Sequence, residues 1–427
     1  MSSGKGLRVC VIGAGAAGLC AARHVSAQSK WFQKPVVYEL NSLLGGTWVY
    51  NEQVGADQFG NPIHSSMYER MKTNLPKEVM AFPDFPFPSS PDSFLHHTKI
   101  QSYLEQYCRH FALDQFIQYN KKVELVQVQP DQSWLVKVQD LPSQSVAEAI
   151  FDVILVCNGH YSVPYYAPIS NIERFQGIRM HSHDYRNPTR FQGMNVALLG
   201  AAASGIDISL EIAEEATQVY LCHNNPSIPS KLPTNMVQVP GIVECISPQG
   251  FVLADGSKVQ VDCLLYCTGY EFQFPFLDGS CQVKVENRTV KPLYKHLVHC
   301  EHPTMAFLGI PTQICPFPFF HYQLLWYLKT LIHPGSKLPS EADMKADTDR
   351  EMQERLAQGI PKRHFHKMGA IQWRYMEELA AQADLDPPNP QVEQLYNLVH
   401  GRRKTKLTQY KADQFELDHS GKFQLRQ

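Results

Sequence analysis

Short apolar runs, rich in β-branched residues and almost without polar alternation, recur along this chain. Leu7 to Ile12, Phe151 to Cys157, Asn195 to Leu199 and Val261 to Cys267 are the clearest, and each is followed within two residues by glycine. Runs of this length and pattern predict strands buried on both faces, as in parallel sheets covered by helices. The first run enters Gly13-Ala-Gly-Ala-Ala-Gly18, after which Leu19 to Ala27, rich in alanine and free of Gly and Pro, predicts a helix. Val36 to Glu39 then predicts a second strand. The order repeats later: strand Asn195 to Leu199, turn Gly200-Ala-Ala-Ala-Ser-Gly205, helix Ile206 to Ala216, strand Gln218 to Cys222. Between these units, Thr98 to His110 has helical apolar spacing, and Val123 to Val128 with Trp134 to Val138 predicts a hairpin. Residues 41–95 are irregular, densest in Phe and Pro at Phe82-Pro-Asp-Phe-Pro-Phe87. So long an irregular stretch in a compact domain usually serves function. From Ser340 the chain is more polar and mostly helical.

Two strand–glycine turn–helix openings predict an α/β protein with two doubly wound, Rossmann-like dinucleotide-binding domains. A chain of 427 residues has room for them. Net charge is −2, which offers no bulk field for nucleic acid or an anionic membrane. The eleven cysteines follow no repeat spacing, and Met1-Ser-Ser-Gly-Lys-Gly leads directly into a strand. Both point to a reducing, cytoplasmic setting without a leader. No apolar run reaches membrane-spanning length; the longest, Tyr322 to Ile332, is interrupted by Lys329. The basic run Arg402 to Lys406 reads as a solvated surface segment. No metal site is expected: His181 and His183 have no neighbouring Cys pair, and Cys263 and Cys267 read as core.

The turn Gly13-x-Gly15-x-x-Gly18 sits where a dinucleotide motif acquires meaning, after a strand and opening a helix. Gly13 permits the tight turn, Gly15 a close backbone approach to pyrophosphate, and Gly18 helix–strand packing. The interposed Ala14, Ala16 and Ala17 would present backbone N–H groups at the helix start. Glu39, 21 residues past Gly18, can bind ribose hydroxyls and disfavours a 2′-phosphate, which fits FAD. In the second turn, Gly200-x-Ala202-x-Ser204-Gly205, Ala202 replaces the middle glycine and Ser204 can donate to phosphate. Ile206 and Asp207 begin the helix beside that nucleotide.

With Phe175-x-Gly177-x-x-x-His181-x-x-x-Tyr185 between the two nucleotide units, the chain resembles the flavin-containing monooxygenases. Gly45-Gly46-Thr47-Trp48 is similar to that family's flavin-side segment, and Tyr68-x-x-Met71-x-Thr73-Asn74-x-Pro76-Lys77 to another of its elements. Cys157-Asn-Gly159 and Cys267-Thr-Gly269-Tyr270 resemble its two strand ends. The likeness covers about residues 7–330 and is nearest to short soluble members, the insect-type N-oxygenases among them. Tyr185-Arg186 stands where related Baeyer–Villiger enzymes carry Trp-Pro.

The resemblance implies an FAD domain in two parts, 1–172 and 278–427, the second with a helical C-terminal region. The NAD(P) domain, 173–277, is inserted between them. It implies NADPH and O2 as co-substrates and oxygenation of nucleophilic nitrogen or sulfur, in xenobiotic or alkaloid small molecules, through a flavin C4a-hydroperoxide. Asn74 would stand at the reacting edge of the flavin as the catalytic residue, flanked by Thr73 and Leu75. Gly46, Thr47, Trp48, Val123 and Gln323 would contact FAD. His181 would link the two domains. His223 falls where relatives place a phosphate-clamping Arg, so NADH stays open beside NADPH. Also open are an NADPH oxidase releasing H2O2, a Baeyer–Villiger enzyme, a catalytically silent flavin-fold regulator, and a homo-oligomer.

Overall fold

The computed structural model describes residues 6–417 and 422–426; the opening Met1 to Lys5, on which the absence of a leader was read, lies outside them. Two sheets dominate. The larger has seven strands in the order Leu293–Tyr294, Val298–His299, Met305–Phe307, Val153–Val156, Val9–Ile12, Val36–Tyr38, Ile117–Gln118. Five of these are parallel, and the first two close one edge antiparallel. The second sheet has five strands, all parallel, ordered Met236–Val239, Gln218–Cys222, Asn195–Leu199, Cys263–Tyr266, Ile178–His181.

The continuous apolar runs arise because both faces of each sheet are covered. Val9 and Val11 enter one core with helices Ala16–Ser26, His97–His110 and Pro316–Ile332, whereas Cys10 and Ile12 enter the core beneath Trp134 and Phe151. Val196 and Leu198 likewise face one side of the second sheet and Ala197 the other. Period-two alternation is present in space but hidden in sequence, since each face meets a core.

Several boundaries move. The first helix begins at Ala16, inside the glycine turn, and the second spans Ala203–Ile212, three residues earlier than the helical spacing suggests. The predicted hairpin is a three-stranded meander, Lys121–Val128, Trp134–Asp140 and Val146–Phe151. Its third strand is largely solvent-facing, so its sequence carries little apolar signal. Residues 41–95 are irregular as read, broken by a single turn at Gly46–Trp48 and the short helix Lys77–Met80. The C-terminal region is helical over Glu341–Ala357, Gln372–Ala383 and Pro390–Thr405. Arg402 is not solvated: it is half-buried and donates to Asp413 at 2.6 Å. Among the described residues, no helix is long and apolar enough to cross a membrane.

Candidate functional site

The two glycine turns have the same construction. Gly13 and Gly200 hold φ of +104° and +113°, which L side chains rarely adopt. A Cβ on Gly13 would lie 2.6 Å from the Cys157 carbonyl oxygen, and one on Gly200 2.5 Å from that of Cys267. A Cβ on Gly18 would lie 1.8 Å from Gly13 O, and one on Gly205 1.9 Å from Gly200 O. The strand ends Cys157-Asn-Gly159 and Cys267-Thr-Gly269 thus pack against the turns at equivalent places. Gly15 differs from its neighbours, because a Cβ there meets only the Gly46 backbone at 3.5 Å. That side of the turn is open to a ligand rather than filled by protein.

Neither following helix is capped. Gly15 and Ala202 are the N-cap residues, no side chain accepts from the first-turn N–H groups, and neither first turn contains an acid. Free N–H groups with the positive end of a helix dipole suit a diphosphate. Ala202 has φ −86°, so its methyl group introduces no backbone strain. Ser204 is half-buried with no side-chain partner among the described residues.

Glu39 is 4 % exposed. One carboxylate oxygen accepts from Ala14 N at 2.6 Å and the other from Asn41 N and Nδ2 at 2.9 Å. Burial pushes its carboxyl up, against the pull of these hydrogen bonds. The Gly46 segment docks on the same turn, with Gly45 N donating to Ala14 O at 2.9 Å. Trp48 is half-buried, edge-on to Phe317 at 6.4 Å, while Thr47 O accepts from Ser65 Oγ at 3.0 Å. A cavity of about 290 Å³ opens beside Gly46 and Asn41, continuing to Tyr50 and His64. Val123 lies in the meander strand that Lys121 N fastens to Glu39 O at 2.8 Å.

The two sites face one seam. Ile206, at the start of the second helix, is buried in the core of the first sheet, whereas Met71 packs on the second core and Leu75 on the first. Asn74 sits between them. Thr73 fixes this loop, donating its N–H to Leu95 O at 2.8 Å and accepting from Leu95 N at 3.1 Å. The Asn74 amide is half-buried and has no hydrogen-bond partner among the described residues. Asp207 is turned to Lys411 Nζ at 2.6 Å and Tyr68 OH at 3.4 Å. Gln323 is fully buried, accepting from Gly309 N at 3.3 Å and donating to Tyr375 OH at 2.9 Å, so both of its amide atoms are engaged by protein. His223 Nε2 donates to Gln238 Oε1 at 3.2 Å, and its Nδ1 is buried without a partner among the described residues. In the linker, His181 Nδ1 accepts from His183 N at 3.1 Å, and Tyr185 OH donates to Glu211 of the second helix at 2.8 Å.

The sequence model of the flavin-binding monooxygenase-like family matches residues 6–228 and 223–396. The chain belongs to that family. It is 34 % identical over 432 residues to the flavin-containing monooxygenase FMO GS-OX-like 2 of Arabidopsis thaliana, covering 96 % of this chain and 92 % of that one. It is 35 % identical to FMO GS-OX5 of the same plant, over 97 % and 92 % of the two chains. Among solved structures, S-allyl-L-cysteine S-oxygenase from Allium sativum superposes with a TM-score of 0.89 at 33 % identity, over 96 % and 95 % of the chains. Tmm from Pelagibacter sp. strain HTCC7211 superposes at 0.85 with 27 % identity, over 97 % and 95 %. This flavin monooxygenase is therefore an oxidoreductase of two Rossmann-type units, from a flavin-binding family.

Some supporting residues carry no sequence signal. Gln101 Nε2 donates to Leu44 O at 2.8 Å and holds the Gly46 segment in place, yet a polar residue on an amphipathic helix reads as solvated. Tyr68, which reaches Asp207, lies in a motif but at a position whose partner is 139 residues away.

Proposed function

We propose that this chain uses FAD and NADPH to place one oxygen atom of O2 on a soft sulfur or nitrogen of a small molecule. The observation that carries this reading is the pair of like-built, uncapped glycine turns converging on a seam where the Asn74 amide is unpartnered. The residues fit FAD at the first turn: Gly15 leaves space for a pyrophosphate, and Gly46 and Trp48 adjoin it. They fit NADPH at the second, where the Ser204 hydroxyl stands ready to donate to phosphate. When bound, the flavin supplies the redox chemistry, taking electrons from the nicotinamide and activating O2.

The chain's own task is to bind, orient and exclude water. The helix N-termini hold two diphosphates. Asn74, kept in position by the Thr73–Leu95 clamp, donates an N–H and accepts at its carbonyl at the reacting edge. No protein nucleophile or titrating side chain is required at Asn74. The first substrates to test are thioethers, since the S-oxygenase neighbour shares a third of the sequence over nearly all of the chain. Arg186 supports heteroatom oxygenation over Baeyer–Villiger chemistry: it donates to the carbonyls of Asn51, His183 and Gln53 at 2.6, 2.8 and 3.1 Å, a role a Pro there lacks. The domain division at 172/173 and 277/278 is part of this reading, supported by the two sheets. So is a cytoplasmic setting, supported by eleven unpaired, buried cysteines.

The test is product analysis with NADPH and isotopically heavy O2 on a panel of thioethers and tertiary amines. A sulfoxide or N-oxide carrying one heavy oxygen, formed with NADPH consumption, is the expected outcome. NADPH consumption matched by H2O2, with no oxygenated product across the panel, would overturn the reading in favour of an oxidase. In Asn74→Ala we expect flavin content to be retained and oxygenation to fall about 100-fold, as for other lost hydrogen bonds to a reacting centre.

A further inference from the structure

The irregular Phe82–Phe87 stretch takes no part in the flavin site, although its density of rings and prolines marks it out. Phe82 packs tilted against Tyr107 at 4.5 Å, Phe85 tilted against Tyr103 at 5.4 Å, and Phe87 stacks on Tyr103 at 3.8 Å, which fixes the segment to helix His97–His110. Asp84 is thereby held against the outer side of two other helices. His24 comes from Ala16–Ser26, the helix that opens at the first glycine turn, and His321 from Pro316–Ile332. No spacing in the sequence links these three residues, which are 60 and 237 positions apart.

Their donor atoms converge. His24 Nε2 is 3.2 Å from His321 Nδ1 and 3.7 Å from Asp84 Oδ2, and His321 Nδ1 is 4.0 Å from Asp84 Oδ1. All three donor atoms lie within 4.8 Å of one another. In a tetrahedral site with bonds of 2.0–2.1 Å, ligand atoms stand roughly 3.3 Å apart. The observed spacing needs only a small contraction at Asp84.

A second observation points to a cation. Both Asp84 carboxylate oxygens are buried without a hydrogen-bond partner among the described residues. Such a group carries a desolvation cost that a metal would offset. Arg23 answers the charge only in part. Its Nε is 3.6 Å from Asp84 Oδ2, and its guanidinium lies 4.1 Å over the Phe111 ring. That Nε is itself buried, with no hydrogen-bond partner among the described residues.

We propose that His24, Asp84 and His321 form a zinc-class metal site on the outer side of the first glycine-turn helix, separate from the flavin site. Two imidazoles and one carboxylate select a borderline divalent ion such as Zn2+ over Mg2+ or Ca2+. Ligand side chains are 8, 21 and 12 % exposed, so the fourth position is reachable by water. On binding, the proton shared between the two imidazoles moves to the outer nitrogen of its ring, and no redox step is involved. The ion would tie the first nucleotide helix, the aromatic segment and helix Pro316–Ile332 together from behind the cofactor.

The test uses the flavin-loaded protein, stripped of metal by a chelator and titrated with Zn2+ by calorimetry. Expected are saturation at one ion per chain and a higher thermal midpoint with zinc. His321→Ala and Asp84→Asn, each with normal flavin content, are expected to weaken binding roughly 10-fold or more. Cobalt(II) should give the visible bands of tetrahedral coordination in the native chain only. No saturable binding to the native protein would overturn the proposal, as would zinc binding unchanged in both variants.

Discussion

Two glycines of one turn should fail in different ways. A methyl on Gly18 would lie 1.8 Å from Gly13 O, inside the protein's own backbone contact. Gly18→Ala is expected to destabilise folding by several kcal/mol, as overpacking against backbone does, read as loss of soluble yield or a lowered thermal midpoint. A Cβ on Gly15 would make only an ordinary van der Waals contact, with Gly46 Cα at 3.5 Å. Gly15→Val should therefore fold near normally and purify colourless, because it occupies the pyrophosphate path. A yellow, active Gly15→Val protein would remove the first turn from the flavin site. Gly18 is legible in sequence because the packed backbone leaves no room for a Cβ, and Gly15 because the turn motif reserves that space for a ligand. Glu39 is legible as an acid 21 residues past Gly18, but its clasp on Ala14 N is not, since that bond depends on how the turn closes. The motif points Gln323 toward the flavin, but its amide is engaged by Gly309 N and by Tyr375 OH on a helix 52 residues later, which no local pattern announces.

Elements were readable in proportion to how fully they are buried. The strand Asn195–Leu199 appears at its sequence-read bounds, whereas Val146–Phe151 escaped because most of it faces solvent. The linker motif acquires a physical role at the second nucleotide helix, through Tyr185 OH on Glu211. Burial pushes the Glu211 carboxyl from 4.5 up to about 7. Because the folded-state value is raised, the folded protein holds a proton that the unfolded chain has released. This contribution to stability is full below about pH 4.5 and is lost as pH rises through about 7. Glu211→Gln keeps an acceptor for Tyr185 and never ionises. Its thermal midpoint should exceed the native one by on the order of a few degrees at about pH 8, and show no gain at about pH 4. An equal difference at both values would show that the folded and unfolded chains hold this proton alike, and that burial does not raise the Glu211 carboxyl.

At the scale of the molecule, the alignment of the two nucleotide units depends on contacts that no local pattern announces. Residues 407–415 cross the seam as a strap. Leu407 N donates to Ser230 Oγ at 2.9 Å on the second unit, and Phe415 N to Ser93 Oγ at 2.8 Å on the first. Between these anchors, Lys411 Nζ reaches Asp207 on the second nucleotide helix at 2.6 Å and the Lys72 carbonyl at 2.9 Å, two residues before Asn74. With side chains 24 and 11 % exposed, this pair is less screened than a surface ion pair. A charge-assisted bond in such a setting contributes about 1–2 kcal/mol. If the strap holds the nicotinamide unit in register with Asn74, Lys411→Met should lower kcat/KM for NADPH about 10-fold, while Tyr410 and Phe415 keep the segment docked. Flavin content should be unchanged, because the first turn makes no contact with Lys411. Raised salt should reduce the native rate toward that of the variant, and affect the variant less. Unchanged NADPH kinetics would reduce the strap to a stabilising contact, and loss of flavin would place its role at the first site instead.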